Sequence, residues 1–158
     1  MAYHDELLQQ SFEFGGKPSP TQADLRRSVS AAYYALFHLL IAETVANWSL
    51  DSSRGALSRM FDHLQMKKVS RRTFNPEQFP FLNEDKMVVS KLRKVAEAFV
   101  LLQDQRHIAD YDNSTRWTQS EAREEVARAS DAFSIWQSIR HEKIAHDYLV
   151  ALLIKTRD

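Results

Sequence analysis

The sequence predicts an all-α fold, an up-and-down bundle of four main helices preceded by a short N-terminal one. Three observations predict it. The chain breakers are few and confined: of 158 residues only 3 are glycine and 4 are proline. Gly15, Gly16, Pro18 and Pro20 share one stretch and Pro76 and Pro80 another, which leaves long segments uninterrupted. The apolar/polar alternation of half-buried strands is hard to find. Apolar residues instead recur at helical spacing in segment after segment. The length suits a single domain over residues 1–158, large enough to bury a core without staples.

A first short helix is expected from Tyr3 to about Phe12. Pro20-Thr21 opens the second, which runs from Gln22 to about Trp48. A third follows the cap-like Asp51-Ser52-Ser53, with Leu57, Met60, Phe61 and Leu64 at helical spacing. The stretch KKVSRRTFNPEQFPF is basic, then aromatic and broken by proline, and reads as a loop. A fourth helix is expected to start near Asn83 and to carry Val88, Leu92, Val95, Phe99 and Leu102. DYDNSTRW reads as a turn. Thr118 caps the last helix with Glu121 in the capping-box position, and Ala122, Val126, Ala129, Phe133 and Trp136 lie on one side. No glycine or proline follows, so that helix either runs on or bends near Arg140-His141.

Composition excludes several classes of chemistry. No cysteine is present, which removes disulfides, thiolate metal sites and cysteine nucleophiles. The 21 basic residues balance 21 acidic ones, so the chain is not generally basic, although local patches remain open. The start, MAYHDELLQQ, is polar and acidic, and AAYYALFHLLIA by itself is too short and too polar to span a bilayer. A soluble, cytoplasmic protein without a membrane partner is therefore expected. No glycine-rich phosphate loop and no nucleophile elbow occurs. HEKIAH, with histidines 141 and 146 five apart, lacks the i, i+4 spacing of a zinc helix. No metal and no cofactor is expected.

Four groups of polar residues stand out. Arg27, Ala31, Tyr34 and His38 fall on one helix face. If buried they form a polar network that fixes register, and if open they form one wall of a cleft. In RHIADYD, Arg106 pairs with Asp110 at i, i+4, and His107 lies three residues from Asp110. Together with Tyr111 these residues are equipped to bind phosphate and relay protons, or simply to end a helix. Lys67, Lys68, Arg71 and Arg72 form a basic cluster followed by Phe74, suited to phosphate and base stacking or to solvation. Arg140, His146 and Tyr148, with Asp147 beside them, read as a solvated face near the C-terminal end.

DLRRSVSAAYYALFHLL followed by RHIADYD, in that order, resembles the HEPN domain family over roughly Ala23 to Trp136. The resemblance implies a compact helical bundle that pairs as a homodimer. It implies either RNA or nucleotide binding or metal-independent endoribonuclease activity, in a bacterial defence or toxin–antitoxin setting with a minimal nucleotidyltransferase antitoxin as partner. In the nuclease form Arg106 steadies the phosphate and His107 assists attack by the ribose 2′-hydroxyl. The family signature places a histidine a few residues after the arginine, and here Asp110 and Tyr111 stand in its place. The expected function is thus RNA or nucleotide binding through Arg106, His107, Asp110, Tyr111, Arg27, Tyr34 and His38, with Lys67, Lys68, Arg71 and Arg72. A metal-independent nuclease and a non-catalytic interaction module are the alternatives.

Overall fold

The computed structural model describes residues 1–48, 51–82 and 85–154. Among these, seven α-helices and one 3-10 turn form the regular structure and no strand occurs, so the fold is all-α.

Helix α1 is Tyr3–Gly15, running past the expected end at Phe12. A Cβ on Gly15 would lie 2.7 Å from Ser28 Oγ, so the missing side chain is what lets the end of α1 approach the next helix. There Ser28 Oγ donates to the Ser11 carbonyl at 2.6 Å. Helix α2, Gln22–Ala46, opens on a reciprocal cap: the Thr21 N–H donates to Asp24 Oδ2 at 3.0 Å and the Asp24 N–H to Thr21 Oγ1 at 3.1 Å.

The expected third helix is not continuous. A 3-10 turn at Asp51–Ser53 leads into α3, Arg54–Ser58, which stops there. Asp62 then caps α4, His63–Phe74, by accepting from the Leu64 and Gln65 N–H groups. Leu57 is buried whereas Met60 and Leu64 are exposed, so these apolar residues do not share a face. Nor is Lys67–Phe74 a loop. It is helical because Met66, Val69, Ser70 and Thr73, at i, i+3, i+4 and i+7, form its buried face. The irregular stretch begins only at Asn75 and contains both prolines.

Asp85 caps α5, Lys86–Tyr111, through the Met87 and Val88 N–H groups. The expected start at Asn83 lies outside the described residues. Val88, Leu92, Val95, Phe99 and Leu102 are all buried, as their spacing predicts. Helix α6, Gln119–Ile139, opens on the Thr118–Glu121 capping box, with both reciprocal bonds at 3.1 Å. It stops at Ile139, and α7, Lys143–Leu153, follows, so the chain breaks at Arg140-His141.

Two compact groups of residues make up the fold. In Met1–Leu39 with Ala98–Ser134, the residues Leu25, Val29, Ala109, Trp117 and Ala122 form one buried cluster. In Leu40–Glu97 with Ile135–Asp158, α4 packs on α7 and Ser70 Oγ lies 2.6 Å from the Tyr148 hydroxyl. By length and composition alone, α2 is the one described helix able to cross a membrane. Its most apolar window has a mean hydropathy of 1.4 and is 61% buried within the protein. AAYYALFHLLIA is only part of that helix.

Candidate functional site

Helix α5 persists through RHIADY and ends at Tyr111, so the i, i+4 pair forms: Arg106 Nη1 lies 3.6 Å from Asp110 Oδ2. That separation is longer than a hydrogen bond and leaves a Coulombic attraction only. The guanidinium is held by rings. Its carbon sits 5.1 Å from the Tyr33 ring centre and 5.7 Å from that of Tyr34, with Arg106 only 12% exposed. Arg106 Nε is buried and has no hydrogen-bond partner. Burial pushes the Tyr33 hydroxyl far above its usual range, so this ring stays neutral beneath the cation.

His107 does not meet Asp110. Its exposed ring lies 5.0 Å from the ring of Tyr111, which is exposed too. Asp112 ends the segment structurally. Its carboxylate accepts from the Ser114 N–H at 2.9 Å, from Ser114 Oγ at 2.6 Å and from Thr115 Oγ1 at 2.9 Å. These bonds, the Ser114 hydroxyl foremost, hold its pKa down to about 2.

Two α2 residues that the sequence reading passed over secure this end of α5. Arg26, rather than Arg27, donates to the Ala109 carbonyl at 2.9 Å, an acceptor that the helix end leaves open, and to the loop carbonyl of Thr115 at 2.8 Å. Gln22 donates to the Trp117 carbonyl at 2.8 Å and accepts from its N–H at 2.9 Å. Arg27 is exposed, with its guanidinium 5.8 Å from the Phe14 ring centre. Together with Gln10, Phe14, Ser30 and Tyr34 it lines a cavity of about 280 Å³. Tyr34 thus faces that cavity and also contacts Arg106. His38 continues the stripe, 4.8 Å from the Tyr3 ring and 6.4 Å from that of Tyr34. Arg27, Tyr34, His38, Arg106 and Asp110 are therefore linked side by side, while His107 and Tyr111 form a separate exposed ring pair.

The basic cluster belongs to the other group of residues. Lys67, Lys68, Arg71 and Arg72 occupy two adjacent turns of α4, Arg71 being the exposed one, and the buried Arg72 Nε has no hydrogen-bond partner. The backbone of Phe74 accepts from Arg93 Nε at 3.1 Å. The C-terminal group is not the solvated face expected of it. Arg140 Nη2 lies 3.1 Å from Oε1 of the buried Glu43, His146 Nε2 is 3.0 Å from the Arg140 carbonyl, and Tyr148 is fully buried. The buried 144/145/148/149/152 pattern of α7, interrupted by His146 and Asp147, is what carries Tyr148 inward.

Comparison with protein-family models, with curated proteins and with solved structures finds no match. On its own residues, the site offers a ring-mounted guanidinium with unspent N–H capacity and a second cation at a small cavity. Planar side chains beside both suit stacking. This is equipment for holding an anion next to a flat ring.

Proposed function

We propose that this chain is a HEPN-like helical protein that pairs as a homodimer and binds RNA or a nucleotide. Arg106 and Arg27 hold phosphate, and Tyr34, His107 and Tyr111 hold bases. The carrying observation is Arg106: stacked on Tyr33 and Tyr34, paired with Asp110 only at 3.6 Å, and with no hydrogen bond from its terminal nitrogens to any described residue. Terminal N–H groups of a guanidinium that are not spent inside the protein remain donors for a phosphate oxygen. Within this reading the basic face of α4 adds sequence-independent phosphate contact. The cytoplasmic setting, in a bacterial defence or toxin–antitoxin pair with a minimal nucleotidyltransferase, rests on the resemblance of AYYALFH and RHIADYD.

Binding is favoured over cleavage. Consecutive residues on a helix project about 100° apart, and Arg106 is largely buried where His107 is exposed, which makes the two poor partners on one phosphate. Fluorescence anisotropy with a labelled single-stranded RNA, repeated over a salt series, tests the reading. Arg106→Ala is expected to weaken binding about tenfold or more, the worth of one charged hydrogen bond. Equal affinity in the variant overturns the site. RNA cleavage by the wild type in chelator, lost in Arg106→Ala, would establish the nuclease alternative instead. A lowered melting temperature with no RNA binding in either protein would leave an interaction module.

A further inference from the structure

Helix α7 carries more apolar surface than its packing consumes. Ile144, Ala145, Tyr148, Leu149 and Leu152 are buried. Beside them runs a second stripe, His146, Val150, Leu153 and Ile154, in which Val150 and Ile154 remain 53% and 56% exposed. These side chains and Leu149 line one cavity of about 430 Å³ with Thr44, Asn47 and Trp48 from the end of α2. Trp48 is itself 42% exposed. Single apolar residues scattered on a surface need no explanation, but three large ones converging on a hollow do.

The volume falls within the roughly 300–1,000 Å³ of small-molecule sites. Among the described residues, no Asp, Glu, Lys or Arg lines it. Its polar groups are specific about what they accept. The Thr44 hydroxyl gives its proton to the Leu40 carbonyl at 2.9 Å, which leaves it able only to accept. Asn47 Nδ2 donates to the Glu43 carbonyl at 2.7 Å, which orients the amide and leaves Oδ1 with no hydrogen bond among the described residues. His146 Nε2 lies 3.0 Å from the Arg140 carbonyl, which only accepts, so in the neutral ring the proton is on Nε2 and Nδ1 is a lone-pair acceptor. The lining is an apolar bowl that offers acceptors at Asn47 Oδ1 and His146 Nδ1 and holds no fixed charge among the described residues.

We propose that this hollow binds a small neutral molecule with a flat apolar body and one N–H or O–H donor. The apolar body stacks on Trp48 and covers Val150, Leu153 and Ile154, and the donor is received by His146 Nδ1 or Asn47 Oδ1. This proposal stands apart from the RNA-binding reading, because every lining residue lies outside residues 1–39 and 98–134.

Indole is a suitable probe and 1-methylindole, which lacks the donor, its control. In a titration of the full chain followed by ¹H–¹⁵N correlation spectra, indole is expected to shift the Trp48 side-chain N–H and the Val150 and Ile154 amides saturably. The buried Trp117 and Trp136 serve as internal references. 1-Methylindole is expected to bind at least tenfold more weakly. Val150→Trp, at a position already half exposed, fills the mouth and is expected to abolish the shifts with the melting temperature retained. No saturable shift, shifts that persist in Val150→Trp, or equal binding of the two probes would each overturn the proposal. So would concentration-dependent self-association abolished by Val150→Trp without any indole response, since a second copy would then occupy the hollow.

Discussion

In residues 106–112 an arginine, a histidine, a tyrosine and Asp110 ride the last turns of an unbroken helix, and Asp112 follows its end. In residues 140–148 an arginine, two histidines, Asp147 and Tyr148 straddle a helix break. The letters are nearly the same and the uses are opposite. Arg140 reaches both oxygens of buried Glu43 at 3.1 and 3.2 Å, its carbonyl is taken by His146, Lys143 holds Asp147 at 2.8 Å, and the Tyr148 hydroxyl meets Ser70. Arg106 has a single ion pair at 3.6 Å and two rings beneath it. Each arginine keeps a buried Nε without a partner, so the difference lies in the terminal nitrogens. Where a terminal nitrogen is taken by a buried carboxylate, as Nη2 of Arg140 is by Glu43, the group holds the fold together; where neither is hydrogen-bonded to a described residue, capacity for a ligand remains.

Substitutions that strike the spent group hardest sharpen this contrast first. Tyr148→Ala removes a fully buried aromatic and is expected to cost about 4 kcal/mol in denaturant unfolding, whereas Tyr148→Phe removes only the bond to Ser70, about 1 kcal/mol. Arg140→Ala strands Glu43 and is expected to cost about 2 kcal/mol, below the usual figure for a buried pair because solvent reaches the 37%-exposed arginine side chain. Adding Glu43→Gln should recover part of that loss. Arg106→Ala is expected to cost less, about 1 kcal/mol, while removing RNA affinity. If it destabilises as much as Arg140→Ala and leaves binding intact, the two segments are alike after all.

The smallest effect is a pH dependence of the turn after α5. Because the Asp112 carboxyl sits at about 2 against an ordinary 3.8, its contribution is fully present above that ordinary value and is lost as pH falls towards 2. The Ser114 amide, which donates to this carboxylate, should report it: faster hydrogen exchange and a shifted resonance at the acid end, and the same change at neutral pH in Asp112→Asn. An Asp112→Asn variant with wild-type Ser114 protection would remove Asp112 as the organiser of the turn.

Much of the helical order was legible in the sequence, because α2, α5 and α6 bury apolar residues at regular spacing and breakers or capping boxes mark their starts. Helix α4 was not, for a physical reason. Two of its four buried positions are Ser70 and Thr73, whose hydroxyls are satisfied locally or by Tyr148, so the inward face is not an apolar stripe. The basic residues Lys67, Lys68, Arg71 and Arg72 then dominate its composition. At the candidate site the Arg106–Asp110 pair and the Arg27–Tyr34–His38 stripe followed from periodicity. That Arg26 rather than Arg27 ties down the end of α5, and that Tyr33 lies under Arg106, depends on helix rotation, which neighbouring letters do not encode.

Gln22 ties two distant parts of the chain together. By donating to the Trp117 carbonyl and accepting from the Trp117 N–H, its amide imitates one rung of a strand ladder in an all-helical protein. A single side chain thus splints the loop between α5 and α6 to the first turn of α2, across 95 residues of chain. Glutamate in its place has no N–H to offer and halves the rung. The loop that follows α5 is therefore indexed to the same helix that carries Arg27 and Tyr34, through two hydrogen bonds of one side chain.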